Sequence, residues 1–217
     1  MTKHRLAAFA GLDTAHQAAV RHVYESSFPL ALRAPWEEIT AGRPDEELLV
    51  LLDDESSEAP PVGLALFRHL GATSMSFLRY FVVDATRRGA GHGSALWSAL
   101  VDHLRGSGCS MLLLDVEDPD GRPQDSAERR DDLRRIDFYR RHGVHLLAVR
   151  DYAPPDHGQE GEEPRLLLMG ASLPPLPLRR APAGPALRHA VTAVYRDRYG
   201  LDPNHPVVRA TLRAPGL

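Results

Sequence analysis

The sequence predicts an α/β fold: a mixed β-sheet flanked by helices, with a C-terminal helical extension. Two observations support this class. Three apolar segments in the first half have connections too short for parallel crossovers, which indicates an antiparallel meander. After them, a glycine-rich loop opens an amphipathic helix that leads into another apolar strand, the pattern of a β-α-β unit.

The composition is that of a chain with a packed core. Of the 217 residues, 43% are hydrophobic and 25% are charged, with a formal net charge of −3. These values exclude wholesale disorder and give no reason to expect nucleic acid as a partner. The one cysteine, Cys109, excludes an intramolecular disulfide and a cysteine zinc site. No apolar run approaches a membrane span and no signal-peptide pattern is present, so we expect a cytoplasmic protein that binds no membrane.

The first half is predicted to begin with a strand and two helices. Arg5–Phe9 forms the strand, and Asp13 or Thr14 caps a helix that Pro29 ends. Pro35 begins a short second helix. The meander strands that follow are Glu47–Leu52, Val62–His69 and Phe77–Val83.

The second half is predicted to alternate helices and strands. The helix after Gly93 carries its apolar residues on one face and ends near Gly106. Glu117 to Asp132 is charged and contains proline, which indicates a long loop. The remaining predicted elements are a strand over Met111–Val116, a helix over Leu133–His142, and strands over Val144–Val149 and Arg165–Met169.

Three segments are predicted along the chain. Residues 1–171 form the main domain, 172–185 a proline-rich linker, and 186–217 a helical extension. The extension is too short to be a domain of its own. Its apolar residues recur at helical spacing, which suits a homodimer interface or a lid.

Glycines and arginines fill the segment Val83–Ser94, between an apolar strand and an amphipathic helix. Glycine lets the backbone approach a ligand closely, and the N–H groups at a helix start attract anions, so a pyrophosphate is the expected ligand. The segment lacks the lysine of a P-loop. A Rossmann fingerprint that starts at Gly91 would put its third glycine at Leu96, although Asp115 lies where a ribose-binding carboxylate would. A Rossmann-type nucleotide binder is therefore a distant alternative.

Residues Arg88–Gly93 read Arg-Gly-Ala-Gly-His-Gly. This segment matches R/Q-x-x-G-x-G/A and resembles the acetyl-CoA loop of the GCN5-related N-acetyltransferase (GNAT) superfamily. The strand, loop and helix over 81–96 and the strand over 112–119 are similar to the same family. Phe138–Gly143 resembles its FYxRxG segment. The order of elements over residues 4–171 fits the family's fold.

The resemblance implies a sheet that splays between its fourth and fifth strands, with the pantetheine of acetyl-CoA in the gap. Backbone groups of a β-bulge near 81–83 would bind pantetheine and polarise the thioester carbonyl. Two positions depart from the family pattern: Ala85 replaces a frequent proline, and Asp132 stands where many members have an asparagine. The cofactor-binding residues implied are Phe81, Val82, Val83, Arg88, Gly89, Ala90, Gly91, His92, Gly93 and Ser94.

The resemblance also implies direct attack of a neutral amine on the thioester. Tyr139 matches the acid that protonates the sulfur of coenzyme A, and a phenol keeps its proton at neutral pH. Glu117, just past the fifth strand, is the first choice for the base that deprotonates the amine, and Glu25 is the second. A water chain without a single base is the alternative.

Residues around the end of the first helix are predicted to line the acceptor site. Core packing is the competing explanation for Phe28, and Arg33 or Arg79 would be able to bind an acceptor carboxylate. The eleven histidines form no H-E-x-x-H or comparable pair, so no metal is expected. The substrate-binding candidates are Glu25, Phe28 and Arg33, flanked by Tyr24 and Trp36.

These observations predict an acetyl-CoA-dependent N-acetyltransferase that acetylates a primary amine of a small molecule. A protein N-terminus or a lysine is the alternative acceptor. A non-catalytic acyl-CoA-binding regulatory module is the alternative from another class. The expected partners are acetyl-CoA, as co-substrate, and a small-molecule amine.

Overall fold

The computed structural model describes residues 4–28, 30, 33–53, 58–154, 165–173 and 181–213. The strands are β1 Arg5–Ala8, β2 Glu46–Leu52, β3 Pro61–His69, β4 Met75–Val83, β5 Met111–Glu117, β6 His145–Leu146 and β7 Leu166–Ser172. The helices are α1 Thr14–Ser27, α2 Trp36–Ile39, α3 His92–Gly106, α4 Ala127–Arg141, α5 Gly184–Ala193 and α6 Pro206–Arg213. The seven strands have the order β1-β2-β3-β4-β5-β7-β6 in the sheet, which confirms the predicted α/β class with an open sheet and flanking helices.

The chain divides into two compact units. Unit 1 comprises residues 1–68 and 78–108, and unit 2 comprises residues 69–77 and 109–217. The division falls within β4, so each unit is discontinuous in sequence.

Unit 1 contains the antiparallel meander that the sequence predicts. β1 pairs with β2 so that Arg5 lies opposite Leu52, and β2 pairs in turn with β3. Asp13 begins α1 by accepting a hydrogen bond from the His16 amide at 2.9 Å, which confirms one of the two predicted caps. The core of this unit joins one face of α1 to the strands through Val20, Val23, Tyr24, Val50, Leu52, Leu64 and Val82.

Unit 2 is built on β5, β7 and β6. β7 pairs with both of the others, antiparallel in each case. The predicted single helix of the extension is in fact α5, continued by a π-helical turn over Val194–Arg198 and followed by α6. These helices share one core with the strands, which contains Leu113, Leu168, Leu187, Val191, Tyr195 and Val208.

Two predicted boundaries are wrong. The loop predicted over 117–132 ends when α4 begins at Ala127, because the Ser126 side chain accepts a hydrogen bond from the Arg129 amide at 3.1 Å and caps the helix. The strand predicted over 144–149 is reduced to two residues, because the Val149 amide bonds to the Leu147 carbonyl at 2.8 Å and turns the chain away.

Some predicted segments lie outside the described residues. These are most of the connection between the last two predicted strands, at 155–164, and the middle of the proline-rich linker, at 174–180. Within the part of the chain that is described, no helix has both the length and the apolar character needed to cross a bilayer.

Candidate active site

The glycine-rich loop lies in unit 1, between β4 and α3. Its residues 88–91 are exposed to solvent. A short 3-10 turn over Ala85–Arg87 precedes them, and the Asp84 carboxylate accepts a hydrogen bond from the Thr86 amide at 2.8 Å at the start of that turn. This hydrogen bond lowers the pKa of Asp84. The loop therefore follows a fixed turn, with its own backbone open to a ligand.

Two glycines give the loop its shape. Gly89 has a φ of 85° and Gly91 a φ of 86°, in the left-handed region that glycine adopts without strain. A side chain at either position would meet nothing within 4 Å, so backbone conformation rather than space requires glycine there. The Gly91 carbonyl accepts the first helical hydrogen bond of α3, from the Ala95 amide at 3.0 Å. The amides of His92 and Gly93 precede that bond at the helix start, a position that attracts anions in proteins generally.

The end of β4 lies beside this loop. Arg88 donates from Nε to the Val83 carbonyl at 3.4 Å. The Phe81 ring packs edge-on against Trp97 of α3, with centroids 5.9 Å apart. A side chain at Gly63 of β3 would lie 2.6 Å from the Val82 carbonyl oxygen, so glycine at that position permits a close strand contact. The bulge and the pantetheine contacts implied for 81–83 stay predictions.

The aromatic residues predicted to line the acceptor site form a cluster in unit 1. The Tyr24 ring is buried, and its centroid lies 5.6 Å from that of Phe28 and 5.1 Å from that of Tyr80. Its hydroxyl donates to the Ala34 carbonyl at 3.0 Å, and burial raises the pKa of Tyr24. Phe28 and Trp36 pack against the core, which is the competing explanation that the sequence offers for Phe28.

The charged acceptor candidates have partners within unit 1. Glu25 forms an ion pair with Arg21 at 2.8 Å on the surface of α1, and its carbonyl accepts a hydrogen bond from Arg33 at 2.9 Å. The Arg79 side chain is 3% exposed and forms an ion pair with Glu46 at 2.5 Å. Arg79 is therefore buried against a carboxylate of unit 1, and its contact with an acceptor carboxylate stays a prediction.

Tyr139 and Glu117, the predicted acid and base, both lie in unit 2. Tyr139 lies on the buried face of α4 with 6% of its surface exposed, and Glu117 ends β5. Burial raises the pKa of Tyr139, the guanidinium of Arg135 opposes that rise, and the carboxylate of Glu117 adds to it. Arg135 also forms an ion pair with Glu117. The Glu117 carboxylate thus contributes to the raised pKa of Tyr139, while the roles of both groups stay predictions.

Asp132 occupies the position of the family's frequent asparagine. Its side chain is 5% exposed and lies 3.3 Å from the Nε atom of Arg122 and 3.7 Å from a guanidinium nitrogen of Arg135. Burial raises the pKa of Asp132, and the charge of Glu117 adds to the rise. The departure from the family pattern thus comes with arginine partners that a neutral asparagine would not need.

Unit 2 also contains a carboxylate–tyrosine network that is not among the sites predicted from the sequence. The hydroxyl groups of Tyr199 and Tyr152 both donate to Oδ2 of Asp115, at 2.7 and 3.1 Å. Removal from water raises the pKa of Asp115, and the Tyr199 hydroxyl and the Arg198 guanidinium oppose the rise. The signal in the sequence is one aspartate in an otherwise apolar strand, which requires polar partners. Those partners lie far along the chain, so spacing alone does not identify them.

Comparison with known families gives a match over most of the site. The model of the acetyltransferase (GNAT) family matches residues 15–144, which is more than half of the chain. Those residues include the glycine loop, β5 and the Tyr139 segment. Comparison with curated proteins gives no match.

Solved structures of similar fold include two enzymes that are named for different acceptors. A GNAT-family acetyltransferase structure from Bacteroides thetaiotaomicron superposes with a TM-score of 0.66 at 20% identity, over 92% of this chain and 99% of that one. The ribosomal-protein-S18-alanine N-acetyltransferase of Escherichia coli gives a TM-score of 0.52 at 18% identity, over 83% and 97%. An aminoglycoside 6'-N-acetyltransferase complexed with coenzyme A gives 0.56 at 14% identity, over 80% and 99%. At these identities the likeness establishes the fold.

Proposed function

The chain belongs to the GNAT family of acetyltransferases, and from this premise we propose that it transfers an acetyl group from acetyl-CoA to a primary amine of a small molecule. The observation that carries the proposal is the exposed glycine loop at the start of α3. Its positive-φ glycines and outward amides are suited to the pyrophosphate of the coenzyme. Coenzyme A in one solved structure of the same fold supports this choice of co-substrate.

The reaction needs three events. The amine nitrogen attacks the thioester carbonyl carbon and loses one proton, an oxyanion forms and collapses, and the carbon–sulfur bond breaks to leave the coenzyme A thiolate. We assign stabilisation of the oxyanion to the Val82 or Val83 amide. A backbone donor at that point contributes a few kcal/mol. The placement of both substrates side by side contributes much of the remaining rate enhancement.

Proton transfer is assigned to the charged cluster of unit 2. Glu117 receives the proton of the amine, and Arg135 holds its carboxylate in place. The raised pKa of Tyr139 keeps its phenol protonated, so the phenol donates a hydrogen bond to the departing thiolate. The reaction requires one group that accepts a proton and one group that donates a hydrogen bond. Glu117 is assigned the first role and Tyr139 the second.

Burial of the polar groups in unit 2 supports a small acceptor. Tyr139, Asp132 and Tyr152 are each less than a tenth exposed. A slim amine substituent reaches such groups more readily than a folded protein surface does. The solved structures of this fold include enzymes for a protein and for an aminoglycoside, so the fold itself leaves the acceptor open.

Two assays test the proposal. Acetyl-CoA is expected to raise the melting temperature, whereas NAD leaves it unchanged, and the reverse result would contradict the proposal. Thiol release from acetyl-CoA is then measured with a panel of aminoglycosides, polyamines, amino acid amides and short peptides with free N-termini or lysines. Turnover with a small amine supports the proposal. Turnover with peptides alone contradicts it and indicates that the acceptor is a protein. Binding without turnover of any amine indicates a regulatory module.

A glycine substitution tests the loop directly. We predict that Gly91→Ala weakens acetyl-CoA binding by up to about tenfold, because the left-handed conformation costs an L-residue about 1–2 kcal/mol and the loop relaxes to avoid it. Isothermal titration calorimetry measures the change. Gly106→Ala, at the other end of α3 and with open space for a methyl group, is the matched control and should bind like the unmodified chain. Equal acetyl-CoA affinity for all three proteins would show that the loop does not bind the coenzyme.

A further inference from the structure

Two histidines and an aspartate from three separate elements meet at one edge of unit 1. His4 immediately precedes β1, Asp53 immediately follows β2, and His92 opens α3. The antiparallel register places Arg5 opposite Leu52, so His4 and Asp53 are the next pair along the ladder. His92 is 8% exposed, and its ring meets the His4 ring edge-on with centroids 5.1 Å apart.

The donor atoms of these side chains converge. His4 Nε2 lies 2.8 Å from His92 Nδ1 and 3.9 Å from Asp53 Oδ1, and one atom from each residue lies within 4.8 Å of the others. Asp53 Oδ1 is buried and has no hydrogen-bond partner among the described residues. A buried carboxylate oxygen in that state costs free energy unless a donor or an ion satisfies it.

We propose that His4, Asp53 and His92 bind a zinc ion. Two imidazole nitrogens and one carboxylate oxygen are a ligand set that Zn²⁺ takes, with a fourth position open to water or an anion. Ligands about 2.0–2.2 Å from a tetrahedral ion lie about 3.3–3.6 Å from each other. The two separations of 2.8 and 3.9 Å from His4 Nε2 lie on either side of that distance, so small side-chain rotations seat the ion.

The surroundings of the cluster favour this assignment. Arg87 donates to the other carboxylate oxygen, Asp53 Oδ2, at 2.6 Å, which fixes the carboxylate and leaves Oδ1 directed at the histidines. Such outer contacts orient metal ligands in general. Mg²⁺ and Ca²⁺ prefer sets of six or more oxygen ligands, and nitrogen donors suit Zn²⁺ better.

Sequence spacing does not predict this site because its residues are 49 and 39 positions apart along the chain. Neither histidine lies within a helical pair of the H-E-x-x-H kind. Only the β1–β2 register and the start of α3 bring them together. The proposal does not depend on acetyl transfer, so its test uses binding alone.

The test is a zinc titration of the full-length chain, prepared without a histidine tag and freed of metal with a chelator. Calorimetry with ZnCl₂ and elemental analysis should give one tightly bound Zn²⁺ per chain. Cobalt should replace it with the visible absorption typical of tetrahedral Co²⁺. His4→Ala, Asp53→Asn and His92→Ala should each weaken Zn²⁺ binding by at least about tenfold.

A matched control uses another histidine–carboxylate pair of unit 1. His103 lies 2.8 Å from Glu47, so His103→Ala removes a comparable histidine and should leave the zinc affinity unchanged. Circular dichroism and melting curves of each metal-free variant establish that it folds. His4→Ala and Asp53→Asn change neither α3 nor the glycine loop and provide the test should His92→Ala fail to fold. Zinc binding that is absent, or equally strong in the His4→Ala/Asp53→Asn double variant, would overturn the proposal.

Discussion

Tyr139 shows how the surroundings of a side chain suit it to one protonation state. The phenol lies on the inner face of α4, and loss of water raises its pKa well above the ordinary value. The nearby Glu117 carboxylate acts in the same direction, whereas Arg135 opposes it. The group therefore stays protonated throughout the neutral range, as the proposed role of hydrogen-bond donor requires.

Removal of that hydroxyl tests its role. For Tyr139→Phe we predict a fall in kcat of about a hundredfold, since a positioned acid typically contributes that much or more, with the acetyl-CoA Kd changed less than about twofold. Thiol release and calorimetry measure the two quantities. Tyr195→Phe is the control, because it removes another buried hydroxyl of unit 2, one that bonds to Thr211 at 2.8 Å. A large loss of coenzyme binding with normal kcat would contradict the assigned role.

Asp115 should make the stability of the chain depend on pH. Its folded pKa is raised above the ordinary 3.8 by removal from water, so the folded chain holds this proton to higher pH than the unfolded chain does. The resulting stabilisation is complete below pH 3.8 and is lost as the pH rises towards the raised pKa. Each unit of elevation corresponds to about 1.4 kcal/mol.

Asp115→Asn removes this titration. We predict that the unfolding free energy of the unmodified chain, minus that of Asp115→Asn, decreases as the pH rises above 3.8 and then levels off. Urea denaturation across the pH series measures the difference. Asp137→Asn, at a side chain with 63% of its surface exposed, is the control for the loss of a carboxyl group that stands in water. A flat difference for Asp115→Asn would show that its carboxyl group titrates normally in the folded chain.

The helices show which parts of the fold can be predicted from the residues. The apolar faces of α1 and α3 predict both helices. Asp13 marks the start of α1, whereas α3 begins at His92, before the start predicted after Gly93. α4 was predicted six residues too short at its start, since its first turns are charged and resemble a solvated loop. The capping residue Ser126 was the usable signal. Ser126 indicates the start of the helix because its side chain accepts a hydrogen bond from a first-turn amide, which no hydrophobic pattern reveals.

The cap of α4 therefore has a measurable effect. Ser126→Ala should lower the unfolding free energy by about 1 kcal/mol, because it leaves an amide of the first turn without its acceptor. For a chain of this length that corresponds to a melting temperature lower by about 2–4 °C, measured by differential scanning calorimetry. Ser126→Asp provides a carboxylate acceptor in place of the hydroxyl and should melt close to the unmodified chain. Equal melting of the alanine and aspartate variants would mean that the cap contributes nothing.

Contacts between side chains that lie far apart along the chain cannot be predicted from the sequence. Tyr199 meets Asp115 across 84 positions, and His92 meets His4 across 88. Residue type does show that a lone aspartate in an apolar strand needs a partner, but only the tertiary fold selects which one. The glycine loop is the opposite case: it is local, and its residues predicted both its exposure and its place before α3.

At the scale of the whole molecule, the C-terminal helices belong to the core of unit 2. Leu187 of α5 is fully buried in the same cluster as Leu113 and Leu168 of the strands. We predict that Leu187→Ala lowers the unfolding free energy by about 3 kcal/mol through lost burial and a residual cavity. Leu133→Ala, at a side chain 40% exposed on α4, is the control and should change it by less than about 0.5 kcal/mol. Similar urea midpoints for both variants would show that α5 packs loosely.

The discontinuous make-up of the two units has a consequence for synthesis on the ribosome. Every residue of unit 1 has been added once Gly108 is made, so this unit can fold while translation continues. Unit 2 joins residues near Leu70 to Val208, so its interior cannot close until Val208 has been added. Chains terminated between Gly108 and Val208 should therefore carry all of the first unit and an incomplete second unit that is a target for proteases.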